Sequence, residues 1–285
     1  MTTLMPRLDR ATRAFWRTTG RPVAVGGEQR WLDAPSSSGP VVGDGWLDAA
    51  ADSLGGSTRE GQEGAGLVPD LARLDGPGFD AASLRPEVRD FYEHTSRWRM
   101  EVWTQWNPVF APGGEAISRL FGRRVQQLAL PTRPLDVARG MDSRVVTIHD
   151  AAGVQQAAGW VRTLRSTGDH VFSGCYSTRT LPGADRPSVH VAFPLQAGNV
   201  QVFLRPRVLP AGGLELSSPG GAFGQDGAYV VVQDDRGHHA ARAPIHETFR
   251  VQVDDEGVLR TDHELRLWSA RVVRLHYKLS PVRRP

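Results

Sequence analysis

From about Ser143 to Tyr277 apolar and polar residues alternate in one run after another, with turn-forming residues between the runs. A period of two is the signature of antiparallel strands with one face turned inward. The pattern predicts strands near Ser143–His149, Gly159–Ser166, His170–Thr178, Ser188–Leu195, Val200–Arg205, Leu214–Ser217, Ala228–Gln233, Ile245–Val253, Val258–Trp268 and Arg271–Lys278. Gln196-Ala197-Gly198-Asn199, Asp234-Asp235-Arg236-Gly237 and Asp254-Asp255-Glu256-Gly257 have the composition of hairpin turns. About ten strands joined this way either close into a barrel or fold into a sandwich, since both limit exposed edges. An up-and-down barrel fits better, because almost every connection is hairpin-like.

Upstream the period is 3.6. Pro86 opens a predicted helix with Glu87 and Asp90 in its early turns. At about 100° per residue, Val88, Phe91, Tyr92, Thr95, Trp98, Val102, Trp103 and Trp106 share an arc of roughly 140°. Arg99 falls within that arc and, if buried, needs a carboxylate or a wet pocket. A second helix is expected at about Glu115–Leu128 and a short amphipathic one over Leu4–Trp16. Gly20 to Gly66 has too few apolar residues to offset its ordering entropy and reads as mostly irregular. A short strand at Val23–Trp31 is expected there, with Trp31, Trp46 and Leu47 able to pin the segment down. The resulting division is 1–68 irregular, 69–134 a helical annex and 135–285 the β domain.

With 34 basic and 31 acidic residues among 285, the net charge is only +3. No Lys/Arg-rich tail occurs, so nucleic-acid binding has no support in the composition. One cysteine, Cys175, excludes an internal disulfide and suits a reducing compartment. No apolar run reaches the roughly 18 residues of a membrane span, so a cytoplasmic location without an integral membrane segment is expected. A metal, nucleotide or redox cofactor is not expected. His238-His239 follows a glycine turn and reads as solvated, and no HExxH or paired-cysteine pattern occurs.

Counting in twos along the last strands gives the candidate chemistry. Ile245, Glu247, Phe249, Val251 and Val253 share one face; so do Leu259, Thr261, His263, Leu265 and Leu267, and then Val273, Leu275 and Tyr277. Glu247, His263 and Tyr277 are the polar members of apolar faces. A tight turn pairs Glu247 with His263, whereas a register two residues wider makes them diagonal. A five-residue loop after Leu267 would set His263 opposite Tyr277. A carboxylate beside an imidazole supports general acid–base chemistry or polar anchoring of a ligand in an apolar cavity. The alternative is that Glu247 and His263 satisfy each other in a packed core, or that a bulge swaps the faces. Arg162, on the face of Trp160, is a further interior charge and the natural counter-ion of Glu247. Trp160, Tyr176, Phe249 and Arg99 complete the candidate ligand-binding set.

Phe91-Tyr92-Glu93-His94-Thr95, Gly159-Trp160-Val161-Arg162 and Leu275-His276-Tyr277 resemble an actinobacterial family catalogued as a domain of unknown function. The resemblance spans roughly Pro69 to Lys278 and implies a lipocalin-like β fold, with no activity attached. Three functions remain open. A calycin-like barrel could hold a small hydrophobic molecule, or the same cavity could act as a cofactor-independent cyclase or isomerase. A filled barrel would instead serve as a structural or protein-interaction domain, its protein partner unknown.

Overall fold

The computed structural model describes residues 5–39, 41–110 and 140–282. Its strands are β1 (Arg21–Val23), β2 (Ser57–Arg59), β3 (Trp98–Trp106), β4 (Met141–His149), β5 (Gln155–Leu164), β6 (His170–Arg179) and β7 (Ser188–Leu195), followed by β8 (Gly198–Val208), β9 (Leu214–Ser217), β10 (Gly227–Asp234), β11 (Gly237–Ala243), β12 (Ile245–Val253), β13 (Leu259–Leu267) and β14 (Ala270–Pro281). Three helices accompany them: α1 (Met5–Thr19), α2 (Trp46–Ser53) and α3 (Pro86–Glu93). The fold is mainly β, and the ladders between the strands are antiparallel.

One continuous path runs β2-β4-β5-β6-β7-β8-β9-β12-β13-β14-β3. At β8 the sheet forks. Residues Gly198–Phe203 pair with β10, and Arg205–Val208 pair with β9. β10 then carries β11, and β11 carries β1. The sheet curls far enough for a side chain on β5 to reach the far edge strand: Arg162 donates to Met100 Sδ on β3 at 3.4 Å. No backbone ladder joins β3 to β4 among the described residues.

The predicted hairpins lie close to their expected places, and Ser188–Leu195, Leu214–Ser217 and Ile245–Val253 match to the residue. Between β7 and β8 the turn is only Gln196-Ala197, with Ala197 left-handed at φ 51°. The structure departs from expectation in the first half of the chain. The helix begins at Pro86 as predicted, but it ends at Glu93. Thr95 Oγ1 turns back onto the Phe91 carbonyl at 2.6 Å, and Trp98–Trp106 runs as a strand against β14. Trp98, Met100, Val102, Thr104 and Trp106 point inward, and Trp103 lies exposed on the other side. The expected second helix, Glu115–Leu128, lies outside the described residues.

The tripartite division does not hold, since β1, β2 and β3 join the same sheet from upstream of residue 135. Gly237–Ala243, read as a solvated turn at His238-His239, is a strand between β10 and β1. The strand expected at Val23–Trp31 falls instead at Arg21–Val23, and Arg30–Leu32 forms a short 3-10 turn. The glycine-rich segment is irregular for much of its length, yet it lies packed on the outer face of the sheet. Trp31, Trp46 and Leu47 are buried there. Trp46 Nε1 donates to Ser173 Oγ at 2.8 Å, and Gln201 Nε2 donates to the Leu32 carbonyl at 2.7 Å. Gly159 makes the close approach of α2 possible. A Cβ there would stand 2.3 Å from Leu47 Cδ2.

Candidate functional site

The inner faces of β3–β10 and β12–β14 surround a cavity of about 210 Å³, and Leu67, Phe91 and Tyr92 contribute to its lining from α3 and the loop before it. Almost all of the lining is apolar or aromatic. Within it lie Glu247, His263, Tyr277, Arg162, Trp160, Tyr176 and Phe249. Arg99, placed in the same set from the sequence, does not line it. Arg99 alternates with Trp98 and Met100 on a strand, so when those two point inward its side chain goes to solvent.

The register of β12–β14 is now fixed. Phe249 stands opposite His263, and Glu247 opposite Leu265, so Glu247 and His263 are diagonal neighbours. Glu247 Oε1 lies 3.6 Å from His263 Nε2. That is ion-pair distance but too long for a hydrogen bond. Both ring nitrogens of His263 are buried with no hydrogen-bond partner, although Phe249 stacks on the ring with centroids 3.8 Å apart. His263 does not face Tyr277 directly. The turn after Leu267 is two residues long, and a bulge follows at Leu265/Arg266, so Leu275 opposes His263 and Tyr277 opposes Thr261.

Arg162 is only 8 % exposed. Its guanidinium carbon sits 4.2 Å from the Trp160 ring centre and 4.4 Å from that of Phe172, with Tyr277 further out at 6.0 Å. The bond to Met100 Sδ is the one hydrogen bond its side chain makes to the described residues, and Nε has no partner. The expected Arg162–Glu247 ion pair does not form. Tyr277 lies within the influence of both charges. Burial pushes its phenol above the ordinary range, the Arg162 charge pulls it back, and Glu247 adds to the rise. Burial also raises Tyr176 and Tyr92. All three phenols are therefore protonated donors at neutral pH.

Phe172, Met100, Phe91 and Tyr92 belong to the lining but were not singled out in the sequence. Phe172 had a usable signal, since it shares an inward face with Gly174 and Tyr176 on β6. Met100 had one only if its segment is read as a strand. Cys175 faces the opposite side beneath α2, where burial pushes its thiol up to about 12. Among the described residues no group of three or more His, Cys, Asp or Glu is arranged to hold a metal ion.

No family model matches the chain, and no solved structure matches it. It is 26 % identical over 224 residues to "Uncharacterized membrane protein YndJ" of Bacillus subtilis (strain 168). The match covers 78 % of this chain but 39 % of that protein, so the chain spans well under half of its relative's length. No helix among the described residues is long and apolar enough to cross a membrane.

Proposed function

We propose that the curled sheet is a calycin-like barrel whose cavity binds a small hydrophobic molecule and holds it by a few interior polar groups. The observation that carries this reading is the void itself: about 210 Å³ lined mostly by apolar side chains, with Arg162 and His263 retaining unused hydrogen-bonding capacity inside it. Interiors normally pack without such space, and buried polar atoms normally find partners. Groups kept unpaired beside a void fit an absent occupant better than a finished core. The volume lies below the usual range of about 300–1,000 Å³ for ligand pockets, which favours a ligand of one ring or a short chain.

Calorimetric titration of the full chain with butylbenzene, a one-ring apolar probe, tests this. Saturable one-to-one binding is expected, together with its loss in Val102→Trp, where an indole would fill the void from β3. Absence of saturable binding to the unaltered chain would overturn the reading.

A cofactor-independent cyclase or isomerase is the second reading, and it has its own observation. Glu247 and His263 stand close enough to exchange a proton through a ligand or one water, yet neither is tied up by the other. Glu247→Gln should leave binding of a co-purified molecule largely intact while abolishing its conversion. Conversion that survives the change would remove Glu247 from the chemistry. A cytoplasmic location remains part of the proposal and rests on the lone buried cysteine.

A further inference from the structure

A guanidinium buried from water needs a counter-charge or acceptors for its five N–H donors. Arg162 has the aromatic faces of Trp160 and Phe172, which offset part of the desolvation cost. Its hydrogen bonding is poor by comparison. One donor reaches a thioether, a weak acceptor, and no ion pair is formed with any described carboxylate. The cavity's own acid, Glu247, is directed at His263 instead.

The Trp160 and Phe172 rings, edge to face with each other at 5.6 Å, both pack against Arg162, whose side chain lines the cavity with Nε unpartnered. A planar fork of parallel N–H groups matches a carboxylate in two-point contact. Tyr277, kept protonated by burial, stands beside it as another donor. A singly charged head would neutralise Arg162. A doubly charged phosphate monoester would leave surplus negative charge in the same small hollow as Glu247, which opposes it.

We propose that the occupant of the cavity is an apolar monocarboxylate, its carboxylate seated on Arg162 beside Tyr277 and its hydrocarbon body lying against Phe249, Leu216 and Val202. This rests on the ligand-binding reading and adds the chemical class. Glu247 and His263 then face the body or far end of the molecule, where a hydroxyl or carbonyl would meet them.

Calorimetric titration of the full chain near neutral pH with octanoate, octanol, octyl phosphate and octylamine decides it. Octanoate should bind about tenfold or more tightly than octanol, the gain expected of a charge-assisted hydrogen-bonded pair. Arg162→Met should bring octanoate down to the octanol level while leaving octanol within about twofold of the unaltered chain. Should that variant fail to fold, Arg162→Lys, which keeps the charge and loses the fork, should retain only part of the preference. Octanol binding as tightly as octanoate would overturn the proposal but leave the hydrophobic cavity standing. Tighter binding of octyl phosphate or octylamine would overturn the carboxylate assignment. No binding of any of the four would overturn this proposal and the ligand-binding reading together.

Discussion

Two histidines on the curled sheet are almost equally buried, His190 at 2 % and His263 at 8 % exposure, and each is stacked on a phenylalanine. They differ in what their nitrogens meet. His190 on β7 points to the outer face, beneath the N-terminal segment, where Nδ1 meets Ser177 Oγ and Nε2 meets Gln201 Oε1, both at 2.9 Å. Gln201 in turn holds the Leu32 carbonyl and Asn199. His263 points to the inner face, and neither nitrogen is bonded. Burial of a polar ring therefore says little about role. A ring completed on both sides is part of the architecture, whereas one left open beside a cavity retains capacity for something that binds.

The largest test of this contrast falls on the outer layer. Trp46→Ala removes a side chain that is 1 % exposed, together with its hydrogen bond to Ser173. It should cost about 3–5 kcal/mol of stability by urea unfolding, while any folded fraction still binds the butylbenzene probe. A small loss would show that the glycine-rich segment is only draped over the sheet.

His190→Leu comes next. It leaves Ser177 and Gln201 without their ring partner in a dry layer and should cost about 2–3 kcal/mol. A neutral result would dissolve the distinction between the two sites.

Acid provides a third test. Burial lowers His190 to about 3, well under the ordinary 6.5 of a histidine. Below pH 6.5 the unfolded chain takes up a proton that the folded chain refuses, so this contribution is whole above that pH and declines as the pH falls toward 3. Between about pH 7 and pH 5 the loss should be about 2 kcal/mol. It should appear in full as the pH-dependent part of the difference between the unaltered chain and His190→Gln, which lacks the group. A difference that does not change with pH would mean that His190 is charged when folded.

The smallest effect on stability belongs to His263→Phe. Made together with Glu247→Leu, so that no buried carboxylate loses its 3.6 Å neighbour, the change should be neutral, or stabilising by up to about 1 kcal/mol. A loss of 2 kcal/mol or more (roughly that predicted at His190) would reassign His263 to the architecture.

Much of this was legible along the chain because it depends on parity alone. Once Ile245–Val253 and Leu259–Leu267 are strands with their apolar faces inward, Glu247 and His263 share a face at every register that differs by an even number of residues. Which residue opposes which was not legible, since a single bulge at Leu265/Arg266 sets the register of Tyr277. Trp98–Trp106 misled for a different reason. Trp98, Val102, Trp103 and Trp106 fit a helical arc, while Trp98, Met100, Val102, Thr104 and Trp106 fit a strand face. The ladder to β14, a partner more than 160 residues away, supports the second. That choice moved Arg99 from candidate ligand to solvent. Gly237–Ala243 gave no alternation to count, because its alanines pack small side chains between β10 and β1. Trp31, Trp46 and Leu47 marked where the outer cover is pinned, but its partners on the sheet were hidden, because polar strand residues such as Ser173 and Gln201 look solvated until another segment brings them partners.

The fork in β8 has a mechanical consequence. Val200, Val202 and Leu204 look into the hollow from the same strand on which Asn199 and Gln201 grip the backbone of residues 32–35. Cover and wall therefore share one spine. A tug that lifts the wrapped segment has to bend that spine, and a guest that presses on the wall pushes back through it. Hydrogen exchange in the wrap should therefore slow when the hollow fills, although the two never touch the same molecule.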